Sequence, residues 1–181
     1  AYGSGMAAIH AALLGAGARA GTTVVAAHDV YGATYALLSR LLATQGVSVR
    51  FVDAADHATV AAALADATAA GAPPVALLVE TISNPLLKVA DLPRLAELAH
   101  ASNAAFIVDN TFATPVLCRP LEMGADYVVH SATKYLGGHG DVLGGAVITS
   151  AARRKELYEI NKLLGANLGP QDAWLVHRGL K

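Results

Sequence analysis

Tyr127-Val128-Val129-His130-Ser131-Ala132-Thr133-Lys134-Tyr135-Leu136-Gly137-Gly138-His139-Gly140 sets an apolar run against a polar, glycine-rich rim. The run Tyr127–His130 reads as a strand covered on both faces. The rim that follows carries two hydroxyls, a lysine and three glycines. The same grammar recurs along the chain. Predicted strands lie at Thr23–Ala27, Val47–Val52, Val75–Val79, Ala104–Val108, Tyr127–His130 and Ala146–Thr149. Predicted helices lie between or beside them, at Gly5–Ala18, Ala33–Thr44, Ala58–Ala70, Leu92–Ala101 and Ala151–Leu164. Ala70-Gly71-Ala72-Pro73-Pro74 breaks the third helix cleanly. Strand–helix alternation of this kind specifies an α/β fold with a mostly parallel sheet flanked by helices.

Composition agrees. The chain has 181 residues, of which 54% are hydrophobic and 15% charged, enough for one packed domain and unlike a disordered tail. A formal net charge of −1 gives no footprint for nucleic acid. No apolar run reaches the roughly 20 residues that span a bilayer. Cys118 is the single cysteine, so no internal disulfide forms and a reducing, cytoplasmic setting is expected. The histidines show no metal-ligand spacing on one helix face.

In open parallel sheets, ligands bind beyond the carboxyl ends of the strands. Four of those ends carry chemistry here: His28-Asp29-Val30-Tyr31-Gly32, Glu80-Thr81-Ile82-Ser83-Asn84-Pro85, Asp109-Asn110-Thr111 and Ser131-Ala132-Thr133-Lys134. Asp, Asn and Ser also serve there as turn formers and caps, and Asp29 and Asp53 read that way. All four loops are expected to open on one rim. Lys134 reads either as a surface charge in a glycine-rich loop or as an amine that attacks an aldehyde after losing its proton, which desolvation favours. Ser131 and Thr133 can donate to a phosphate. Ser4-Gly5-Met6 opens a helix whose first amides also suit a phosphate, although Ser4 alone is an ordinary cap. A carboxylate at Asp109 can pair with a protonated pyridine nitrogen. Tyr31 can stack on an aromatic ring and offer a phenol for proton transfer. His139 and Asp141 are read as structural supports behind the lysine loop, and Cys118 as packing.

Ser4-Gly5-Met6, Tyr31-Gly32, Asn84-Pro85, Asp109-Asn110-Thr111 and Ser131-Ala132-Thr133-Lys134 with Gly138-His139 together resemble the Cys/Met-metabolism family of pyridoxal-phosphate enzymes. That family includes cystathionine γ-synthase, cystathionine γ-lyase, methionine γ-lyase and O-acylhomoserine sulfhydrylase. The resemblance implies a fold-type I, aspartate aminotransferase-like large domain over residues 1–181. It implies pyridoxal 5'-phosphate as cofactor, with Lys134 as the Schiff-base lysine and later the base. It implies Asp109 on the pyridine nitrogen, and Gly5, Met6, Ser131 and Thr133 at the phosphate. Tyr31 would stack on the ring and act in acid/base steps, and Asn84 would sit near the phenolic oxygen. Glu80 lies nearby without an assigned role.

The reaction implied is γ-elimination or γ-replacement on sulfur-containing or O-acylated homoserine-type amino acids. O-acylhomoserine sulfhydrylase, methionine γ-lyase and β-elimination from cystathionine are alternatives. Ala33 follows Tyr31-Gly32 where methionine γ-lyases carry cysteine, which lowers that option. A homo-oligomer, a dimer of dimers, is the implied assembly. The resemblance also implies an N-terminal arm, which gives a tyrosine and an arginine to the neighbouring subunit's phosphate site, and a C-terminal domain, which supplies an arginine to the substrate carboxylate; both are expected to lie outside residues 1–181. The competing reading of another class is a non-catalytic phosphate-binding domain.

Overall fold

A computed structural model describes residues 1–181. Six strands form one sheet: β1 (Thr23–Ala27), β2 (Ser48–Val52), β3 (Pro74–Glu80), β4 (Ala105–Asp109), β5 (Tyr127–Ser131) and β6 (Gly145–Thr149). Their spatial order is β2-β1-β3-β4-β5-β6. All pairs are parallel except β5 with β6, where Tyr127 lies opposite Thr149 and Ser131 opposite Gly145. The expected strands are all present; Thr23–Ala27 keeps its bounds and the others shift at their ends by a residue. The central strands β1, β3, β4 and β5 are buried on both faces as their continuous apolar character requires. The edge strands β2 and β6 are not, because each lacks a neighbour on one side. The chain leaves β1 to one side for β2 and then crosses to the other for β3. The order therefore reverses at β1 and β3, and the switch point lies at their carboxyl ends.

Helices cover both faces. On one face α1 (Gly5–Gly15) and α6 (Ala151–Leu164) pack with Leu38, Leu42, Ile107, Tyr127 and Val129. On the other, α3 (His57–Ala69) and α4 (Leu92–Ala101) bury Val60, Leu64, Leu92 and Leu95 against Val25, Leu77 and Phe106. Each of these four helices begins on a side-chain cap: Ser4 accepts from Ala7 N, Asp56 from Ala58 N and Thr59 N, Asp91 from Arg94 N, and Ser150 from Arg153 N. Tyr127, at the start of β5, fixes α1 to the sheet by donating its hydroxyl to Gly15 O at 2.8 Å.

Three helical expectations change. The segment expected as a helix over Ala33–Thr44 is a short α2 (Gly32–Ala36) that widens into a π-helical turn (Leu37–Leu42) and tightens into a 3-10 turn (Ala43–Gln45). The first helix ends at Gly15 rather than Ala18, because Gly17 takes φ 94°, outside helical space. Two further helices, α5 (Thr114–Leu117) and α7 (Pro170–Gly179), were not expected from the sequence. No helix is long and apolar enough to cross a membrane.

Candidate cofactor site

The strand ends converge as expected. Ser4, Gly5 and Met6 at the start of α1, Tyr31 from the β1 rim, Glu80, Ile82 and Asn84 from the end of β3 and its loop, Asp109, Thr111 and Phe112 from the end of β4 and its loop, and Ser131, Thr133 and Lys134 from the end of β5 and its turn line one cavity of about 280 Å³. All eight residues named from the sequence for the cofactor lie in it.

Each is placed by a local cause. Gly5 opens α1 hard against the end of β5: a Cβ there would lie 2.8 Å from the Ser131 Cβ. Only glycine lets the helix start approach this strand. Ser4 satisfies the Ala7 amide at 3.1 Å and its carbonyl accepts from Ala8 N, while the amides of Gly5 and Met6 have no acceptor within the chain. The helix therefore points two free N–H groups and its positive end at the cavity.

Asp109 is the last residue of β4. Its Oδ1 accepts from Thr111 N at 3.0 Å and from the Thr111 hydroxyl at 2.5 Å, while Oδ2 accepts from no group of the chain. Burial pushes the Asp109 carboxyl above the usual carboxylate range, against the opposing pull of both Thr111 bonds. A buried carboxylate with one oxygen unspent suits a cationic N–H partner. Thr111 also accepts from Ser131 N at 2.8 Å, so one threonine registers β4 and β5 rims together. In sequence, the only signal for this role of Thr111 is an Asp-x-Thr turn at a strand end.

The Ser131 hydroxyl makes no hydrogen bond within the chain and remains free to donate. Thr133 differs from expectation. Its hydroxyl donates to Gly144 O at 3.3 Å and accepts from Gly144 N at 3.1 Å, so it closes the turn between β5 and β6 as well as lining the cavity. Lys134 also differs. It is exposed and has no ion-pair partner, so the desolvation expected around it is not supplied by the chain, because it stands on the turn after β5 at the cavity mouth. Tyr31 is 49% exposed and caps α2 with its ring at the cavity edge.

Glu80 is the residue whose weight the sequence hid. Its Oε1 accepts from Tyr31 N at 2.6 Å and its Oε2 from Asn84 N at 3.0 Å. Asp29, taken as a simple turn former, is instead nearly buried; its side chain is 7% exposed and faces Lys88 at 3.9 Å in a smaller neighbouring cavity with Asp53. His139 and Asp141 hold the loop behind Lys134: the His139 ring bonds to Gly137 O at 2.9 Å, and both Asp141 oxygens take Arg178 Nη2 at 2.8 Å.

Free helix amides, an unspent buried carboxylate, a free hydroxyl and an unpaired lysine around one cleft suit a phosphorylated, protonatable ring that can join an amine. This is the donor set that pyridoxal phosphate requires, and the residues present fit it. The chain belongs to the family of Cys/Met metabolism PLP-dependent enzymes, whose model matches residues 1–181. It is 44% identical over 182 residues to the cystathionine gamma-lyase of Bacillus subtilis (strain 168), covering 100% of this chain and 46% of that protein. It is 46% identical over 167 residues to a probable cystathionine gamma-synthase of Herpetosiphon aurantiacus, covering 90% of this chain and 50% of that protein. The crystal structure of cystathionine gamma-lyase from Lactobacillus plantarum complexed with L-serine superposes with a TM-score of 0.92 at 38% identity, over 99% of this chain and 45% of that one. The chain thus spans about half the length of the relatives it matches.

Proposed function

We propose that residues 1–181 form the pyridoxal-phosphate-binding large domain of an enzyme that performs γ-elimination or γ-replacement on sulfur-containing or O-acylated homoserine-type amino acids. The observation that carries this reading is the convergence of Lys134, the unspent Oδ2 of Asp109 and the free Gly5 and Met6 amides on one cavity. Bound there, pyridoxal phosphate supplies an aldehyde and an electron-accepting ring. The chain's own residues then have separable tasks. Gly5, Met6 and Ser131 hold the phosphate, with Thr133 closing the turn beside it. Asp109 keeps the pyridine nitrogen protonated by offering a negative partner. Tyr31 would cover one face of the ring, and Asn84 would lie near its phenolic oxygen. The Lys134 amine would hold the cofactor through its aldehyde and would move the proton at the substrate Cα. Tyr31 offers its phenol for proton transfer.

β-Elimination is the second reading, because relatives at the same 44% identity include the cystathionine beta-lyase of Lactococcus lactis subsp. cremoris (strain MG1363). A cytoplasmic homo-oligomer, a dimer of dimers, is the assembly proposed for the whole protein. Exposed apolar side chains such as Val116, Leu117 and Leu163 support association.

Adding pyridoxal phosphate is expected to give a visible absorption band, and borohydride reduction to fix the cofactor's mass on Lys134. The same band and the same modified peptide in Lys134→Ala protein would sink the assignment. With the full-length enzyme, O-acetylhomoserine, cystathionine and methionine tested in parallel separate the reactions by product, keto acid against new thioether.

A further inference from the structure

Glu80 ends β3 directly opposite Asp109, its register partner on β4. Its two carboxylate oxygens are spent on two different loops. Oε1 holds the backbone N–H of Tyr31, 49 residues away beyond β1, at 2.6 Å. Oε2 holds the backbone N–H of Asn84, in its own outgoing loop, at 3.0 Å. Nothing else ties these amides down: neither donates to a backbone carbonyl. The two loops flank the switch point of the sheet, and both Tyr31 and Asn84 line the candidate cofactor cavity.

We propose that Glu80 is a positioning residue whose carboxylate clamps the Tyr31 loop to the Asn84 loop and so sets where both side chains meet a ring bound in the cavity. The inference rests on the cofactor reading above and assigns it a support that acts through backbone amides rather than by touching the ring. A carboxylate suits the task because it is acceptor-only and offers an oxygen to each donor. An amide at the same place cannot do both, since its NH2 would face an N–H.

The clamp is also open to protonation. Burial and the neighbouring Asp109 and Asp29 charges push the Glu80 carboxyl up to about 7, the two amide bonds pulling the other way. Asp109 faces it from β4 and Asp29 from the loop after β1; Lys88 is turned to Asp29 and Asp53. When the carboxyl is protonated, its hydroxyl oxygen becomes a poor acceptor and one of the two amides loses its partner. The clamp is therefore complete above about pH 7 and half-made below it.

The test compares Glu80→Gln and Glu80→Ala with the parent chain. The first readout is amide exchange at Tyr31 and Asn84, measured against Ser131, whose amide is held by Thr111 and is independent of Glu80. Glu80→Gln should speed exchange at one of the two amides by about tenfold, the factor for a lost charged hydrogen bond, and Glu80→Ala at both. The second readout is affinity for 4'-deoxypyridoxine phosphate, which has no aldehyde and cannot join Lys134. That affinity should fall about fivefold to tenfold in either variant, and the parent's added loss between about pH 8 and about pH 6 should shrink in Glu80→Gln. Unchanged exchange at both amides in folded Glu80→Gln overturns the clamp. Faster exchange with unchanged affinity overturns its role toward the ring. A parent chain that takes up neither this probe nor pyridoxal phosphate overturns the cofactor reading itself, and the positioning role with it.

Discussion

Gly5 at the start of α1 and Ser131 at the end of β5 meet so closely that a Cβ on Gly5 would stand 2.8 Å from the Ser131 Cβ and 3.0 Å from its Oγ. The Ser131 Cβ cannot yield, because the Ser131 backbone is fixed by β-pairing to Gly145 and by Thr111. Gly5→Ala is therefore expected to push the helix start off the strand. The cost should be about 1–3 kcal/mol in chemical denaturation, the range for overpacking. Affinity for a phosphopyridoxyl ligand should fall with it, while the dephosphorylated ligand should lose much less. Equal losses for both ligands would contradict a phosphate cradle at Gly5.

Asp109→Asn should separate stability from binding. The Asp109 carboxyl is raised by burial, so its neutral form is the comfortable one in the ligand-free fold. The stability that goes with that form is present at low pH and is lost as pH rises through the raised pKa. Asparagine keeps an oxygen for Thr111 and never ionises. The ligand-free variant should therefore hold its stability toward neutral pH better than the parent. Its affinity for pyridoxal phosphate should drop about thirtyfold or more, the scale for losing one member of a buried charge pair. A variant that binds as well as the parent would remove Asp109 from the pyridine nitrogen.

His130 and Glu80 should pull the pH profile of stability in opposite directions. His130 is 3% exposed, its Nδ1 has no partner, and burial drops its pKa from 6.5 to about 4. Its contribution is complete above 6.5 and is lost as pH falls to about 4, on the order of 3 kcal/mol over the window. Glu80, raised from 4.5 to about 7, contributes below 4.5 and loses that contribution as pH rises to about 7. Relative to the parent, urea midpoints of ligand-free protein across this range should therefore slope more upward with pH in Glu80→Gln and more downward in His130→Leu. The same slope in both variants would refute the assignment of these two groups.

Gly179 is the seat of α7 on the lysine loop. A Cβ there would overlap the carbonyl oxygens of Leu136 and Gly137, and the adjacent Arg178 grips Asp141 with 2.8 Å contacts. Gly179→Ala should lift the end of α7, cost about 1–3 kcal/mol, and speed amide exchange at Gly137 and Gly138. Borohydride trapping at Lys134 should become less complete. Unaltered exchange in that loop would show that α7 does not support it.

Several parts of this picture were legible in residues alone. Thr23–Ala27 and Leu92–Ala101 are bounded correctly in sequence because a run without a charged residue that ends at His28-Asp29 and a clear apolar stripe leave no other local solution. α7 was missed for the opposite reason: none of its residues is buried and Trp174 points to solvent, so it has no stripe to read. The π-helical turn at Leu37–Leu42 was missed because Leu38 and Leu42 fit an ordinary helix face equally well in sequence.

By itself the sequence determined an alternating α/β chain, the polar groups at four strand ends, and the family they resemble. These are properties of local order, and local order is what a sequence displays. The tertiary structure decided which ends stand side by side. Strand order β2-β1-β3-β4-β5-β6 places Glu80 against Asp109, brings Tyr31 onto the Glu80 carboxylate, and seats α1 on Ser131. It also left Lys134 open at the mouth rather than buried. No local signal encodes those contacts, because each joins segments that meet only when the sheet and both helical layers bury their apolar faces together.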